Sequence, residues 1–155
     1  MLPIIRNAIP GDIDTIHEIL LPYAREELIL ARTKDDIAQS LHAFYVAAHN
    51  SHISGVISYY DYGDRLKEVR SLAVRKSMAK SGIGSLLLKH LISELRALCP
   101  EPKIFVLTYS PVFFIKNGFV EVPRETLPEK IWKDCDHCKN RHNCGETALI
   151  FENNK

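Results

Sequence analysis

Residues 69–98 combine a short apolar strand, a loop that carries basic residues and glycine, and a long amphipathic helix, in that order. The strand ends at Val74, and Gly82 and Gly84 lie at the start of the helix. Glycine lets the main chain approach a bulky group closely, and the free N–H groups and the dipole at a helix start favour negative charge. We therefore expect this segment to bind a cofactor that carries a diphosphate.

The predicted contacts with this cofactor come from both sides of the loop. Arg75, Lys76 and Lys80 place positive charge near the glycines, and the strand before them and the helix after them make a simple turn a weaker explanation. The expected cofactor-binding residues are Leu72, Ala73, Val74, Lys80, Ser81, Gly82, Ile83, Gly84 and Ser85.

Composition restricts the class of protein. A chain of 155 residues that is 46% hydrophobic and 25% charged is typical of one globular domain, here residues 1–155. Its 20 basic and 19 acidic residues leave a net charge of +1, which argues against a dedicated nucleic-acid binder. The chain contains no apolar run of about 18 residues and no secretion signal, so we expect neither membrane insertion nor export, and a cytoplasmic location.

The order of the predicted elements is that of a mixed α/β protein. A helix starts at Ile13 and is expected to end or kink at Pro22, and Thr33 caps a second one. Further helices are predicted over residues 82–98 and 111–117. The predicted strands cover residues 3–9, 44–48, 53–60, 66–74, 103–109, 119–122 and 147–151.

Cysteine and histidine are concentrated in residues 134–145. A Cys-x2-Cys pair with a third cysteine six residues later matches one half of a zinc motif, and reduced thiols or a disulfide are the alternatives. Any metal here is expected to be structural and not catalytic. The candidate zinc ligands are Cys135, Cys138, Cys144 and His142.

Several segments resemble the GNAT superfamily of acetyl-CoA dependent N-acetyltransferases. The resemblance implies an α/β fold (α+β in some schemes) with a central mixed, mostly antiparallel sheet of six or seven strands and about four flanking helices. It also implies acetyl-CoA as co-substrate, lying between two diverging central strands. Ala79 departs from the Gln or Arg that usually opens the glycine loop. The matching segments are Ile5-Arg6-Asn7-Ala8, Leu72-Ala73-Val74, Gly82-Ile83-Gly84-Ser85-Leu86-Leu87 and Phe113-Phe114-Ile115-Lys116-Asn117-Gly118-Phe119.

Within that superfamily the chain is similar to the acetyltransferase domain of bacterial N-acetylglutamate synthases, in a short stand-alone form. This implies acetylation of the α-amine of a small amino acid, with L-glutamate as the expected acceptor and arginine biosynthesis as the expected pathway. Longer members carry an arginine where this chain has Tyr109-Ser110-Pro111, so glutamate is less firmly implied than the reaction itself. The matching segments are Leu28-Ile29-Leu30-Ala31-Arg32, Glu68-Val69-Arg70-Ser71-Leu72-Ala73-Val74 and Phe105-Val106-Leu107-Thr108.

Acetyl transfer to an amine needs a base, an acid and a donor for the developing oxyanion. Glu68 is the candidate base, and the alternative is a surface carboxylate paired with Lys67 or Arg70. Many superfamily members use a tyrosine as acid where this chain has Phe114, so Tyr109 or Ser110 is the candidate acid here. The alternative for Tyr109 is a half-buried packing residue at the end of a strand. The oxyanion or pantetheine donor is expected to be the backbone N–H of Leu72 or Val74.

Recognition of a carboxylate on the acceptor calls for arginine, which binds carboxylates in a bidentate manner. Arg32, Arg70 and Ser71 are the predicted substrate-binding residues, whereas Lys67 is expected to be an exposed charge at a sheet edge. The alternative for Arg32 is an ordinary surface position, and the alternative for Arg70 is pairing with Glu68.

Two other functions remain open at this point. One is acetylation of a different amine, such as another amino acid, a polyamine or a protein N-terminus. The other is a non-catalytic sensing or interaction module stapled by zinc. The expected partners are small molecules and neither nucleic acid nor membrane, and a homodimer is one of the assemblies that the sequence leaves open.

Overall fold

The computed structural model describes residues 3–79, 81–127 and 146–152. The chain divides into two compact units, Met1–Pro102 and Lys103–Lys155. Together the described residues form seven strands and four α-helices, besides short 3-10 turns at Pro10–Asp12, Leu41–Ala43, Lys76–Met78 and Arg124–Thr126.

The first unit contains a four-stranded antiparallel sheet whose strands follow one another in chain order. Short turns join the second strand to the third and the third to the fourth. The turn residues Asn50 and Asp64 adopt positive φ angles of 56° and 50°. Asn and Asp tolerate this left-handed conformation better than most residues with a side chain. The strands are β1 (Ile4–Asn7), β2 (Phe44–His49), β3 (His52–Gly63) and β4 (Leu66–Val74).

Helices cover both faces of this sheet. They are α1 (Ile13–Arg25), α2 (Lys34–Gln39) and α3 (Ile83–Leu98). Side chains alternate along β2, so Phe44 and Val46 pack with the apolar sides of α1 and α2. Tyr45 points to the opposite face, where its ring meets that of His90 on α3 at 5.3 Å. Because both faces are covered, residues 44–48 are buried without a polar interruption.

Local capping follows the sequence at α2 but not at the end of α1. Thr33 accepts a hydrogen bond from the Asp36 N–H, and Asp36 accepts one from the Thr33 N–H, which completes a capping box. The expectation that α1 ends at Pro22 is wrong, since the helix runs to Arg25. Proline near a helix end removes only one backbone hydrogen bond, and the Tyr23 hydroxyl holds this turn by donating to the Val74 carbonyl at 2.6 Å.

The second unit contains the strands β5 (Lys103–Thr108), β6 (Phe119–Glu121) and β7 (Thr147–Phe151). They form an antiparallel sheet with the last strand in the middle, in the order β5-β7-β6. Gly118 has a φ of 95° and precedes β6, where a Cβ would lie 3.0 Å from the Phe151 ring. Phe119 contacts both Phe114 and Phe151 through tilted or edge-to-face rings. The α-helix of this unit is α4 (Pro111–Lys116).

The predicted elements are all present, with ends that differ by a few residues. The strand predicted over residues 66–74 and the one over residues 147–151 have the observed bounds. None of the helices in the described part of the chain has the length and apolar character needed to cross a membrane.

The packing of α3 on the sheet depends on the missing side chain of Gly55. A Cβ at this position of β3 would lie 2.9 Å from Leu87 Cδ1 and 3.2 Å from the Ala73 carbonyl oxygen. We expect Gly55→Ala to lower the free energy of unfolding by about 1–3 kcal/mol, because the backbone oxygen cannot move aside. Urea unfolding followed by circular dichroism measures this.

Gly11→Ala is the matched control, since a Cβ at Gly11 meets nothing within 4 Å. Its free energy of unfolding should stay within about 0.5 kcal/mol of the wild-type value. Equal effects of the two substitutions would contradict the close approach of α3 to Gly55.

Candidate functional site

A β-bulge interrupts β4 at the middle of the predicted site. Val56 pairs with Ala73 and Ser58 pairs with Arg70, so β4 has one residue more than β3 between these pairs. Ser71 takes a positive φ of 52° in this interval. A bulge of this kind takes one residue out of the ladder and redirects the side chains beside it. Sequence analysis placed Ser71 at the site but did not predict the bulge.

Arg32 reaches this bulge from the segment between α1 and α2. Its Nη1 donates to the Ser71 hydroxyl at 3.3 Å, and its guanidinium lies 5.4 Å from the centre of the Phe44 ring. Phe44, Ser58 and Arg70 are cross-strand partners in one row, so Arg32 lies on the same face as Arg70. The structure therefore brings Arg32, Ser71 and Arg70 together.

Glu68 and Arg70 form an ion pair, and the side chains of two tyrosines contact it. Arg70 Nε donates to Glu68 Oε1 at 2.7 Å, and Arg70 Nη2 donates to the Tyr62 hydroxyl at 2.9 Å. That hydroxyl donates in turn to Glu68 Oε1 at 3.1 Å, which closes a ring of three side chains. Tyr60 lies under the guanidinium of Arg70, 4.5 Å from ring centre to Cζ. Burial of Glu68, at 8% exposure, makes this more than a surface ion pair.

The two arginines differ in their electrostatic surroundings. Burial lowers the pKa of Arg32, and the positive charge of Arg70 lowers it further, against a smaller opposite effect of Asp36. Burial also acts to lower the pKa of Arg70, but Glu68 and Tyr62 raise it above its ordinary value. Within the described residues Arg32 has no ion pair. A half-buried cation beside a second cation is a favourable place for an anionic group of a ligand.

Lys67 corrects one sequence-based expectation, because it is not an exposed edge charge. Its side chain is 9% exposed and its Nζ lies 2.7 Å from Asp61 Oδ1, the residue opposite it in the ladder. Alternation along β4 turns Lys67 to the face away from Glu68. It therefore does not belong to the cluster around Arg70.

The start of α3 has the features expected of an anion-binding helix end. Gly82 is the N-cap residue with a φ of 88°, and no described side chain caps this helix. A Cβ on Gly82 would meet no atom of the described residues within 4 Å. Gly84 and Ser85 lie in that first turn, and Ile83 is buried. Lys80 lies outside the described residues.

The other predicted cofactor contacts have structural partners of their own. Ser81 donates its hydroxyl proton to the Met78 carbonyl, and Ala73 belongs to the core between the sheet and α1. Arg75 contacts Glu18 at 3.3 Å and Lys76 pairs with Glu26, so two cations that flank the loop are tied to α1. These long-range pairs have no signal in the sequence.

The remaining candidates lie in the second unit or outside the described residues. Tyr109 is 36% exposed at the end of β5, and the Ser110 N–H donates to Thr108 Oγ1 at 2.9 Å. No group of three His, Cys, Asp or Glu residues within 3–79, 81–127 and 146–152 is placed to hold a metal ion. The proposed zinc ligands Cys135, Cys138, His142 and Cys144 are outside these ranges, so that site stays a prediction.

Sequence reasoning missed Tyr60 and Tyr62 as members of the cluster. Both stand on β3 at alternate positions, and β4 carries Glu68 and Arg70 at alternate positions too. The alternate spacing of these residues along the two chain segments was the available signal. The sequence carries no signal for the strand register that makes Tyr60 the cross-strand partner of Glu68.

Comparison with known sequences identifies the family. Residues 40–121 match the model of the acetyltransferase (GNAT) domain. An uncharacterised N-acetyltransferase of Chlorobaculum tepidum is 34% identical over 149 residues, which cover 94% of either chain. An amino-acid acetyltransferase of Mycobacterium tuberculosis is 28% identical, with 85% of this chain and 76% of that protein covered. An amino-acid acetyltransferase of Neisseria meningitidis is 25% identical and is covered over only 30% of its length.

Solved structures show the same fold. The N-acetylglutamate synthase of Neisseria gonorrhoeae, complexed with coenzyme A and N-acetyl-glutamate, matches 97% of this chain with a TM-score of 0.87 and 23% identity. The match covers 35% of that chain. A Mycobacterium tuberculosis protein in complex with coenzyme A matches 96% of this chain with a TM-score of 0.84. These matches confirm the predicted fold class, and the sequence matches show that the chain belongs to the GNAT acetyltransferase family.

Proposed function

We propose that this protein transfers the acetyl group of acetyl-CoA to the α-amine of an amino acid, with L-glutamate as an acceptor. The observation that carries the proposal is the position of Arg32, a half-buried cation without an ion pair in the described residues, next to Arg70 and Ser71. A carboxylate is the group that two adjacent guanidinium groups bind best. The relatives named amino-acid acetyltransferase support the same class of acceptor.

The residues at the start of α3 fit the co-substrate. An uncapped helix N-terminus preceded by a left-handed glycine offers N–H groups and room for a diphosphate. Lys80, Ser81, Gly82, Ile83, Gly84 and Ser85 would hold that diphosphate, and Leu72, Ala73 and Val74 would run beside the pantetheine arm. Acetyl-CoA supplies an acetyl thioester when it is bound.

The proposed chemistry is a direct transfer. Arg32 and Ser71 hold the carboxylate of the acceptor, and Glu68 takes a proton from its ammonium group, directly or through water. The neutral amine then attacks the thioester carbon, so that the C–N bond forms as the C–S bond breaks. The N–H of Leu72 or Val74 donates to the carbonyl oxygen. The leaving thiolate takes up a proton, for which Tyr109 or Ser110 is the donor predicted from the sequence, and the new amide nitrogen releases its second proton to water. Zinc at the Cys/His-rich segment, a cytoplasmic location, a homodimer and a role in arginine biosynthesis stay predictions.

The role of Arg32 is tested by Arg32→Ala. We expect the KM for glutamate to rise by about tenfold to a hundredfold, because a charge-assisted contact with the carboxylate is lost. The KM for acetyl-CoA should stay near its wild-type value. A thiol-release assay with each substrate varied in turn measures both constants. Arg25→Ala, at an exposed arginine of α1, is the control. Equal increases in the two KM values would remove Arg32 from the acceptor site.

The role of the α3 N-terminus is tested by Gly82→Ala, with Gly63→Ala as a matched control. The two glycines have φ angles of 88° and 84° and open space around the missing Cβ, so both variants carry similar backbone strain. Only Gly82→Ala fills the space in front of α3, and we expect its Kd for coenzyme A to rise about tenfold. Isothermal titration calorimetry measures the Kd. An unchanged value for Gly82→Ala would contradict the proposed diphosphate site.

The role of Glu68 as base is tested by Glu68→Gln, which preserves the shape of the side chain. We expect kcat to fall about a hundredfold and the rise of kcat with pH that Glu68 deprotonation causes to disappear. Glu121→Gln, at an exposed position of β6, serves as control. A pH profile of Glu68→Gln with the wild-type shape would show that another group accepts the proton.

A further inference from the structure

Two buried serines on β3 donate hydrogen bonds to main-chain carbonyls beside interruptions of the ladder. The Ser54 hydroxyl lies 3.4 Å from the Ala47 carbonyl oxygen, beside the register shift between β2 and β3. The Ser58 hydroxyl donates to the Arg70 carbonyl at 3.2 Å, beside the bulge of β4. The two serines are 4% and 1% exposed. A buried hydroxyl needs a partner, and for both serines that partner is the main chain of a neighbouring strand.

The carbonyl that Ser58 contacts belongs to the peptide group between Arg70 and Ser71. The φ angle of Ser71 is the rotation about the bond that directly follows this peptide group, and it is 52°. A residue with a side chain keeps this left-handed conformation only where its surroundings hold it. A hydrogen bond that fixes the plane of the peptide group therefore helps to hold Ser71 in the bulge.

The conformation of Ser71 sets the direction of its side chain, whose hydroxyl accepts from Arg32 Nη1 at 3.3 Å. Ser58 stands between Phe44 and Arg70 in one cross-strand row, on the face of the sheet that Arg32 covers. At 1% exposure Ser58 is shielded from a ligand on that face. Its effect on a ligand must therefore pass through the peptide group that it holds.

We propose that Ser58 is a positioning residue of the acceptor site. The proposal rests on the proposed function and adds to it a residue that does not touch the acceptor. The Ser58 hydroxyl fixes the peptide group before Ser71, and Ser71 in turn presents its hydroxyl to Arg32, where the carboxylate of the acceptor binds. The start of α3 takes no part in this series of contacts, so binding of coenzyme A does not depend on Ser58.

Ser58→Ala tests this, with Ser54→Ala as the matched control. We expect Ser58→Ala to raise the KM for glutamate about fivefold, because the hydrogen bond that orients Ser71 is lost. Its Kd for coenzyme A should change by less than about twofold. Ser54→Ala loses the same kind of hydrogen bond at a place that is not joined to Ser71, so both constants should stay near their wild-type values. A thiol-release assay measures the KM, and calorimetric titration measures the Kd.

A double-mutant cycle tests whether Ser58 acts through Ser71. Ser71→Ala removes the hydroxyl that Arg32 contacts, so adding Ser58→Ala to it should change the KM for glutamate by less than about twofold. A purely structural role of Ser58 would instead give the same fivefold rise with and without the Ser71 hydroxyl.

Three results overturn the inference and leave the proposed function intact. They are an unchanged KM for glutamate in Ser58→Ala, an equal rise in Ser54→Ala, and a full fivefold effect of Ser58→Ala in the Ser71→Ala protein. Absence of coenzyme A release by the wild type with glutamate rejects the proposed function, and this inference with it.

Discussion

The bulge in β4 is the constraint on which the proposed acceptor site depends. Ser71 adopts a left-handed conformation that costs a residue with a side chain about 1 kcal/mol, so the surrounding contacts must hold it there. The ladder resumes at Ala73, which is part of the core under α1, and it is intact at Arg70. Between these two fixed points the Ser71 hydroxyl meets Arg32. A regular strand would put the residues after Arg70 on the opposite faces.

Arg32 differs from the neighbouring cations because it makes no ion pair with a described carboxylate. Lys67, Arg70, Arg75 and Lys76 each contact a carboxylate, and those carboxylates belong to Asp61, Glu68, Glu18 and Glu26 respectively. Arg32 instead rests on the Phe44 ring and a hydroxyl group. An unpaired, half-buried cation is costly unless a ligand supplies the counter-charge.

Much of the fold follows from local patterns along the chain. The strands predicted over residues 44–48 and 53–60 form the hairpin of β2 and β3, and the predicted cap Thr33 begins α2. Pro22 is misleading, because the anchoring of Tyr23 on Val74 joins residues 51 positions apart. Lys67 is misleading for a related reason. Its burial depends on Asp61 across the ladder and on the covered face of the sheet, neither of which a strand-end position reveals.

The sequence by itself determined the strand, glycine loop and helix of the cofactor segment, because a helix N-terminus and its glycine cap are defined within a few residues. It also named Arg32, Arg70 and Glu68 as candidates, since arginine is the residue suited to a carboxylate and glutamate can accept a proton, and their roles stay proposals. Only the tertiary structure decided that Tyr62 joins Glu68 and Arg70 in a ring and that Arg32, beside Ser71, has no ion pair with any residue that the structure describes. These contacts join separate elements, and the register and bulge of β4 that set them arise from packing across the sheet.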